Sequence, residues 1–427
     1  MNGGTEKSSE QITIKQGNLS NIDIENNTIT YTNTDRVATI NISNSSSNLE
    51  LSISKIEKLG ELLNETIITN AKKASKDNST TNSLYNESPL TTPAVSISLE
   101  TERTLSLTLD NYGESYYFRG NVIDNYVNFA EMCWRIVRIE GDGSVKLVLE
   151  DKNYKCNDTS ISEDYIFGQF DIPVSESDST LLSNFGYEEA STGLVMKKRL
   201  LNPITNPEKA LINVLKNYEK TLAKKIDNSL TEEDLSNYIN IKNTLANKLK
   251  VEEWCYDKDA YLSETADVDN EMPLSDFEVE NNYTQSSMYY SANIRLYEGS
   301  TLKPRLTCKN NNIINKYPDG TGMFIGILNA DEISFAGARY IVANQNLYLL
   351  NEYQKSKEEF SWWTLTPERF FLFVFGSGDF MYVFDNEGKF DNRFVHNSLS
   401  VRPSIVLKND TRILSGDGTQ SNPYVIQ

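Results

Sequence analysis

The sequence has few of the side chains on which nucleophilic and metal-dependent enzymes rely. Its 427 residues include one histidine, His396, and four cysteines that form no C-x-x-C pair. A Ser-His-Asp or Cys-His site would have to use His396, which follows a predicted strand in a turn, so we interpret it as a surface histidine. The cysteine spacing does not favour a zinc ribbon or a thioredoxin-type redox motif.

Long apolar segments and nucleotide-binding signatures are also missing. The longest apolar run, Phe370 to Phe375, is too short to span a membrane, and the opening Met-Asn-Gly-Gly has no apolar signal segment. No H-E-x-x-H, Walker or G-x-G-x-x-G motif occurs, and we predict no cofactor and no metal. Either the protein is cytosolic, or a signal or anchor has been removed from its N-terminus.

Positive charge is in deficit. The chain carries 41 Lys and Arg against 60 Asp and Glu, which gives a net charge of −19. Such a protein repels phosphate backbones and anionic membrane surfaces, and this argues against nucleic acid as a partner. The length is sufficient for two or three domains, each with its own core.

The first 75 residues alternate apolar and polar side chains in short runs. I-D-I-E, T-I-T-Y-T and T-I-N-I-S have the period of two that is typical of strands, and apolar residues then recur on one face of a helix predicted over 54–74. A polar stretch with two prolines follows. We predict a separable, stalk-like β-rich segment with one helix over 1–75 and a linker over 76–99.

The main domain is predicted over 100–427 as an α+β fold. Two alternating runs, Cys133 to Glu140 and Val145 to Glu150, flank Gly-Asp-Gly and predict a β-hairpin. We interpret Arg135 and Arg138 in the first run as solvated strand edges.

A helical hairpin is predicted as an insert over about 206–250. Apolar residues on one face indicate a first helix after Pro207, and a weak capping box from Thr231 to Asp234 starts the second. Asp227-Asn-Ser-Leu would connect the two helices.

Apolar density is highest from Ser361 to Gln427, where short apolar runs alternate with Gly, Asp and Asn turns. This pattern predicts consecutive antiparallel strands. Trp362 and Trp363 face opposite ways, so we expect Trp363 in the core and Trp362 either exposed, as a stacking platform for a sugar ring, or partly covered by a loop. Arg402 lies in an apolar strand, where it needs a carboxylate or carbonyl partner, and we predict that it fastens the closing strand.

The even cysteine count, with Cys156 and Cys308 in polar surroundings, favours disulfides and therefore an exported protein. Cys133 begins the predicted hairpin and Cys156 follows its return strand. We therefore predict the pairs Cys133–Cys156 and Cys255–Cys308.

Three blocks, in order along the chain, resemble a known family. They are N-Y-G-E-S-Y-Y-F-R-G-N-V with N-Y-V-N-F-A-E-M-C-W-R-I-V-R-I, then F-I-G-I-L-N-A-D-E-I-S-F-A-G, and finally W-W-T-L-T-P with S-V-R-P and G-D-G-T-Q-S-N-P-Y-V-I. From about Leu109 onward the chain is similar to exported surface proteins of low-GC Gram-positive and related bacteria that carry a C-type-lectin-like domain of unknown function.

The resemblance implies a C-type-lectin-like fold and a surface location, and it implies no known reaction. The E-P-N, Q-P-D and W-N-D motifs of calcium-dependent sugar binding are missing, and no cysteine follows Cys308 to support formylglycine-type oxidase chemistry. Relatives often begin with an anchor or prepilin-like segment. We therefore expect an extracellular protein, anchored through an N-terminal segment that this chain lacks.

Three functions remain: a surface binding module for a glycan or a protein, a filament or pilus-like subunit that self-assembles, and an uncharacterised enzyme. We favour the first, with no catalytic residues. Its ligand site is predicted on the loops of the closing strands, where Gly376-Ser-Gly-Asp is interpreted as a hairpin turn. The candidate ligand-binding residues are Trp362, Asp379, Asp385, Asn392, Arg393 and His396.

Overall fold

The fold was analysed in a computed structural model. It describes residues 22–25, 28–32, 36–45, 48–58, 60–77, 84–86, 103–151, 156, 209–255, 260–262, 286–296, 304–308, 313–317, 320–340, 342–357, 360–373, 376–394 and 399–426, with the backbone alone in some of these ranges, including the first four. All structural statements below concern these residues.

The secondary structure is mixed, with many short strands and few helices. The strands are β1 (Ile22–Glu25), β2 (Thr28–Thr32), β3 (Arg36–Ser45), β4 (Asn48–Lys58), β5 (Leu84–Asn86), β6 (Arg103–Asp110), β7 (Gly113–Gly120), β8 (Tyr126–Phe129), β9 (Met132–Ile139), β10 (Val145–Asp151), β11 (Leu249–Lys250), β12 (Trp254–Cys255), β13 (Ala260–Leu262), β14 (Ser286–Tyr290), β15 (Ile313–Ile314), β16 (Gly326–Ile327), β17 (Ser361–Phe373), β18 (Gly376–Asp385), β19 (Phe390–Phe394), β20 (Pro403–Leu407), β21 (Ile413–Ser415) and β22 (Tyr424–Ile426). The helices are α1 (Leu63–Lys76), α2 (Lys209–Ile226), α3 (Glu232–Ser236), α4 (Tyr238–Lys248), α5 (Ser291–Leu296), α6 (Ala330–Ala336) and α7 (Glu352–Lys355).

A curled, mostly antiparallel sheet of eleven strands organises the main domain. Its strands follow the order β11-β20-β10-β9-β7-β6-β5, and β8, β16, β21 and β22 extend it. A five-stranded sheet, β13-β14-β17-β18-β19, lies beside it, and the amide of Trp363 joins the two regions by donating to the carbonyl of Ser400. The α+β class is therefore confirmed.

The hairpin predicted around Gly-Asp-Gly is confirmed as β9 and β10, with Val145 opposite Ile139. Gly143 has φ of +86°, a left-handed conformation that favours glycine at this turn. Every residue of β9 is buried, however, so the interpretation of Arg135 and Arg138 as solvated edges was wrong. Both faces of this central strand are covered, and alternation between core and solvent does not apply to it.

The two predicted helices of the hairpin are present, although the second is split. The Thr231–Asp234 capping box is confirmed at the start of α3, and Asn237 then caps α4 with its own side chain. Asn206 and Pro207 lie outside the described residues. Fully buried Glu219 of α2 holds the helices together, because it accepts hydrogen bonds from Lys242 and Tyr238 and from the amide of Phe324.

The disulfide Cys133–Cys156 is confirmed, with sulfurs 2.04 Å apart. Cys308 is also disulfide-bonded. The Cys255 side chain lies outside the described residues, so its pairing with Cys308 stays a prediction.

The N-terminal strands are present as a four-stranded antiparallel sheet, β1 to β4. The helix predicted over 54–74 begins later, at Leu63, because residues up to Lys58 pair with β3. Helix α1 does not stand apart from the main domain, since its Leu63 and Ile67 side chains belong to the main core cluster. The amide of Leu63 also donates to the carbonyl of Thr411 at 2.9 Å.

These contacts place α1 with the main domain rather than with the N-terminal segment. The predicted linker also contributes strand β5, which pairs with β6. Helix and linker were assigned outward because their polar surroundings suggested a spacer. The apolar side chains of α1 instead belong to the main core, and its first residue bonds to Thr411, more than 300 residues later.

Arg402 fastens the closing strand as predicted. It is fully buried immediately before β20 and donates from Nε to the carbonyl of Leu149 at 2.7 Å and from Nη2 to Glu150 Oε2 at 2.8 Å. Its Nη1 donates to the carbonyl of Leu349. One guanidinium thus ties β20 to β10 and to the segment that precedes β17.

We expect Arg402→Met to lower the free energy of unfolding by about 3–5 kcal/mol, because it leaves the Glu150 carboxylate and two carbonyls without their donor. Arg393→Met is the matched control. Its pair with Asp391 is about one-third exposed and should contribute less than about 1 kcal/mol. Urea unfolding measures both variants, and equal losses would contradict the fastening role.

A second prediction tests where α1 belongs. Ile67→Ala should destabilise the main cooperative transition by about 2–4 kcal/mol, because it opens a cavity in the shared core. Thr69→Ala, two residues away on the exposed side of the helix, should change little. If thermal unfolding of the main domain is the same in both variants, the helix is an independent unit.

Candidate functional site

The predicted ligand site on the closing strands is not assembled as expected. Trp362 is fully buried: its ring packs 5.0 Å from that of Phe384, and Arg402 lies 5.5 Å from it on another side. Trp363 is buried as predicted. Both faces of the first part of β17 are therefore covered, and Trp362 cannot stack on a ligand without opening the core.

Asp379 and Asp385 lie far apart on one strand. Asp379 pairs with Phe370 within the β17–β18 ladder, and Asp385 is the last residue of β18, about 20 Å away. The interpretation of Gly376-Ser-Gly-Asp as a turn was wrong, because Gly376 already pairs with Phe373. Asp385 is buried and closes the next turn by accepting from the amides of Glu387 and Lys389.

The other predicted residues form a small polar patch on β19. The Asn392 side-chain amide donates to the Tyr340 hydroxyl at 2.9 Å, and Arg393 pairs with Asp391. His396 lies outside the described residues. The structure thus brings Asn392 and Arg393 together, without Trp362 or Asp379.

A buried network of charged side chains lies in the main sheet. Arg138 of β9 donates to Asp110 at 2.8 Å, to Glu140 at 2.9 Å and to Glu332 at 3.2 Å. Although burial opposes its charge, these carboxylates raise the pKa of Arg138 above its ordinary value. One arginine therefore joins β6, β9 and α6.

Lys146 of β10 continues this network between two glutamates. Its Nζ lies 3.0 Å from Glu332 Oε1 and 3.2 Å from Glu252 Oε2, and only the first contact has hydrogen-bonding geometry. Burial raises the pKa of Glu252, whereas Lys146 and Arg138 outweigh burial at Glu332 and lower its pKa. Glu332 is therefore the ionised partner, and Glu252 favours the protonated form, next to the Ser404 hydroxyl at 2.6 Å.

The carboxylate of Glu332 is saturated with donors. Each oxygen of Glu332 has a donor, since its second oxygen accepts from the amide of Asn329 within a capping box at the start of α6. Asp331 beside it pairs with Arg295 of α5 and accepts from the amide of Arg305. Glu332 thus holds α6 against the sheet, and Asp331 ties α6 to α5. Over the ranges given above, no three Asp, Glu, His or Cys side chains are grouped as a metal site.

An open cleft of about 220 Å³ lies on another part of the surface, where α4, the turn after β20, β8 and β22 meet. Three apolar and five polar or charged residues line it. We call the apolar residues the floor (Phe129, Leu407 and Ile426) and the others the rim (Asn247, Lys248, Asp410, Thr411 and Arg412). We call it the 408–412 cleft, after the turn that forms one side.

Hydrogen bonds hold the rim in place. The amide of Lys408 donates to the carbonyl of Lys248, and the Arg412 side chain donates from Nη1 to the carbonyl of Gly60 at 2.7 Å. The floor residues are at most 8% exposed and belong to strands of the main sheet. The cleft is thus a fixed surface feature.

The sequence analysis did not find the 408–412 cleft. Its rim comes from a helix end and from a turn some 160 residues later, and neither has a motif. The available signal is the polar run Lys-Asn-Asp-Thr-Arg between two apolar strands, which by itself indicates only a turn.

Comparisons with known proteins leave the family open. No family model matches the chain, and no curated protein or solved structure is significantly similar to it. Among the helices described above, none has the length and apolar character needed to cross a membrane.

The opposite pKa shifts in the network predict opposite pH effects. The folded pKa of Glu252 is raised, so ionising this carboxyl lowers the free energy of unfolding as pH rises above its unfolded pKa of about 4.5. Glu252→Gln should therefore gain stability relative to the natural protein as pH increases from 4.5 to 8. Urea unfolding across this range measures the change.

Glu332→Gln is the matched control. The folded pKa of Glu332 is lowered, so its stabilisation is present above pH 4.5 and disappears as pH falls through the folded pKa. This variant should be less stable at pH 7 by about 3–5 kcal/mol, with the difference shrinking in acid. The same pH trend in both variants would contradict the assignment of charges.

Proposed function

We propose that this protein is a non-enzymatic binding module of the bacterial cell surface, and that the 408–412 cleft binds one residue of a glycan. The observation that carries the proposal is the combination of an apolar floor with a hydrogen-bonding rim on a rigid support. Small-ligand sites commonly combine apolar walls with a few fixed polar groups.

The dimensions support a sugar residue. Pockets for drug-sized ligands enclose about 300–1,000 Å³, so a cleft of about 220 Å³ suits a single ring of a larger molecule. A pyranose has an apolar C–H face, which matches Phe129 and Ile426, and a rim of hydroxyl groups, which matches Asn247 and Thr411. The cations Lys248 and Arg412 favour a sugar that carries a carboxylate.

The support under the cleft is preorganised. Its floor includes Leu407 of β20, the strand that Arg402 fastens, and its rim is tied to α4 and to the residues before α1 by backbone hydrogen bonds. A site that is rigid before binding loses less entropy when the ligand arrives. A lone sugar residue, with its small contact area, particularly needs this advantage.

The disulfide is the observation that supports a location outside the cytosol. Cys133–Cys156 would persist in an oxidising environment outside the cytosol, which supports export. The proposal includes the C-type-lectin-like fold and the surface anchoring that the family resemblance implies. The net charge of −19 disfavours polyanionic ligands that carry many charges, but a single carboxylate meets a locally positive rim.

Lys248→Ala should weaken glycan binding by about tenfold or more, because it removes a charged hydrogen-bond donor from the rim. Lys76→Ala is the matched control: like Lys248, Lys76 is the last residue of a helix, but it does not line the cleft. A glycan array identifies a ligand, and calorimetry then compares the two variants at unchanged melting temperature.

Three outcomes would contradict the proposal. Equal binding by both variants would show that the ligand does not bind in the 408–412 cleft. Binding to protein arrays alone would exclude a glycan as the ligand. Assembly into filaments without any ligand would favour the structural-subunit alternative.

A further inference from the structure

Arg135 is a buried cation that the described residues do not neutralise. The residue is 3% exposed in β9, and its guanidinium lies 3.8 Å above the ring of Tyr126 and 5.3 Å from that of Tyr348. Its Nη2 donates to the carbonyl of Val122 at 2.6 Å, whereas its Nε has no hydrogen-bond partner in the part of the chain that the structure covers. No carboxylate there forms an ion pair with it.

Two side chains near Arg135 and Arg402 each carry a buried polar group with no hydrogen-bond partner among the described residues. They are the Tyr348 hydroxyl and the Trp362 indole N–H, both on side chains at most 5% exposed. Arg135 approaches the ring of Tyr348, while Arg402 approaches the ring of Trp362 and donates to the carbonyl of Leu349, the residue after Tyr348. The two guanidinium groups therefore flank the same short segment.

The two arginines differ in their carboxylate partners. Arg402 pairs with Glu150 at 2.8 Å, whereas no carboxylate of the described residues forms an ion pair with Arg135. Burial, together with repulsion from Arg135, lowers the pKa of Arg402 to about 10, so Arg402 remains charged at neutral pH. An uncompensated buried charge is costly and is normally paired with an anion.

The kind of group that is missing follows from the donors. Arginine Nε and indole N–H can only donate, so the missing partner must accept hydrogen bonds. A water molecule would accept but would leave the positive charge. We propose that a small monovalent inorganic anion, of the size and charge of chloride, binds between Arg135 and Arg402 beside Tyr348 and Trp362.

The first test uses the full natural chain at constant ionic strength. Replacing gluconate, which is too large for a buried site, by chloride should raise the melting temperature by roughly 2–6 °C between 1 and 150 mM chloride, because a ligand that binds only the folded state stabilises it in proportion to the logarithm of its concentration. Bromide should act in the same way. A melting temperature independent of halide would overturn the proposal.

Variants locate the effect. Arg135→Gln should abolish the chloride dependence, whereas Arg393→Gln, on the polar patch of β19, should retain it. A full chloride response in Arg135→Gln would overturn the proposed location.

If Arg135→Gln does not fold, crystals of the natural protein grown in bromide decide the matter. An anomalous peak within hydrogen-bonding distance of Arg135 Nε supports the site. A water molecule there, with no anomalous signal, refutes it.

Discussion

The main domain depends on charge balance inside its sheet. Arg138 and Lys146 lie side by side on the central strands β9 and β10, where each is at most 9% exposed, and neither can be buried there alone. Their carboxylate partners come from β6, from the turn after β9, from the second residue after β11, and from α6. The positions of these elements are thus fixed together, because a shift of any one would leave a buried charge unpaired.

This constraint also explains why the acidic pair of α6 is structural. Asp331 and Glu332 are adjacent in sequence and lie in a pattern that could suit acid–base chemistry, but each is directed to a buried cation. The helix is short and is stopped by Gly337 in a left-handed conformation with φ of +119°. Its role is to deliver one carboxylate to the sheet and another to α5.

Local features of the fold could be predicted from the sequence, and long-range features could not. The β9–β10 hairpin, the Thr231 capping box, the α6 stop at Gly337 and the Cys133–Cys156 pair each depend on a few neighbouring residues. Burial of Arg135, Arg138 and Trp362 depends on which strands cover them, and those strands are far away in sequence. The 408–412 cleft could not be predicted for the same reason, since its floor and rim come from four separate elements. Of the predicted ligand-binding residues that the structure describes, Asn392 and Arg393 are neighbours on β19, whereas Trp362 is buried in the core.

The position of β20 has a consequence for biosynthesis. This strand lies between β10 and β11 near one edge of the large sheet, and β22 pairs with β8, so the last 25 or so residues complete structures begun much earlier. A ribosome releases the N-terminal strands long before their neighbours exist. The nascent chain therefore cannot close its main core until synthesis is nearly finished, and it must remain protected from aggregation throughout. A chain with this order of strands would suit a route in which transport precedes folding.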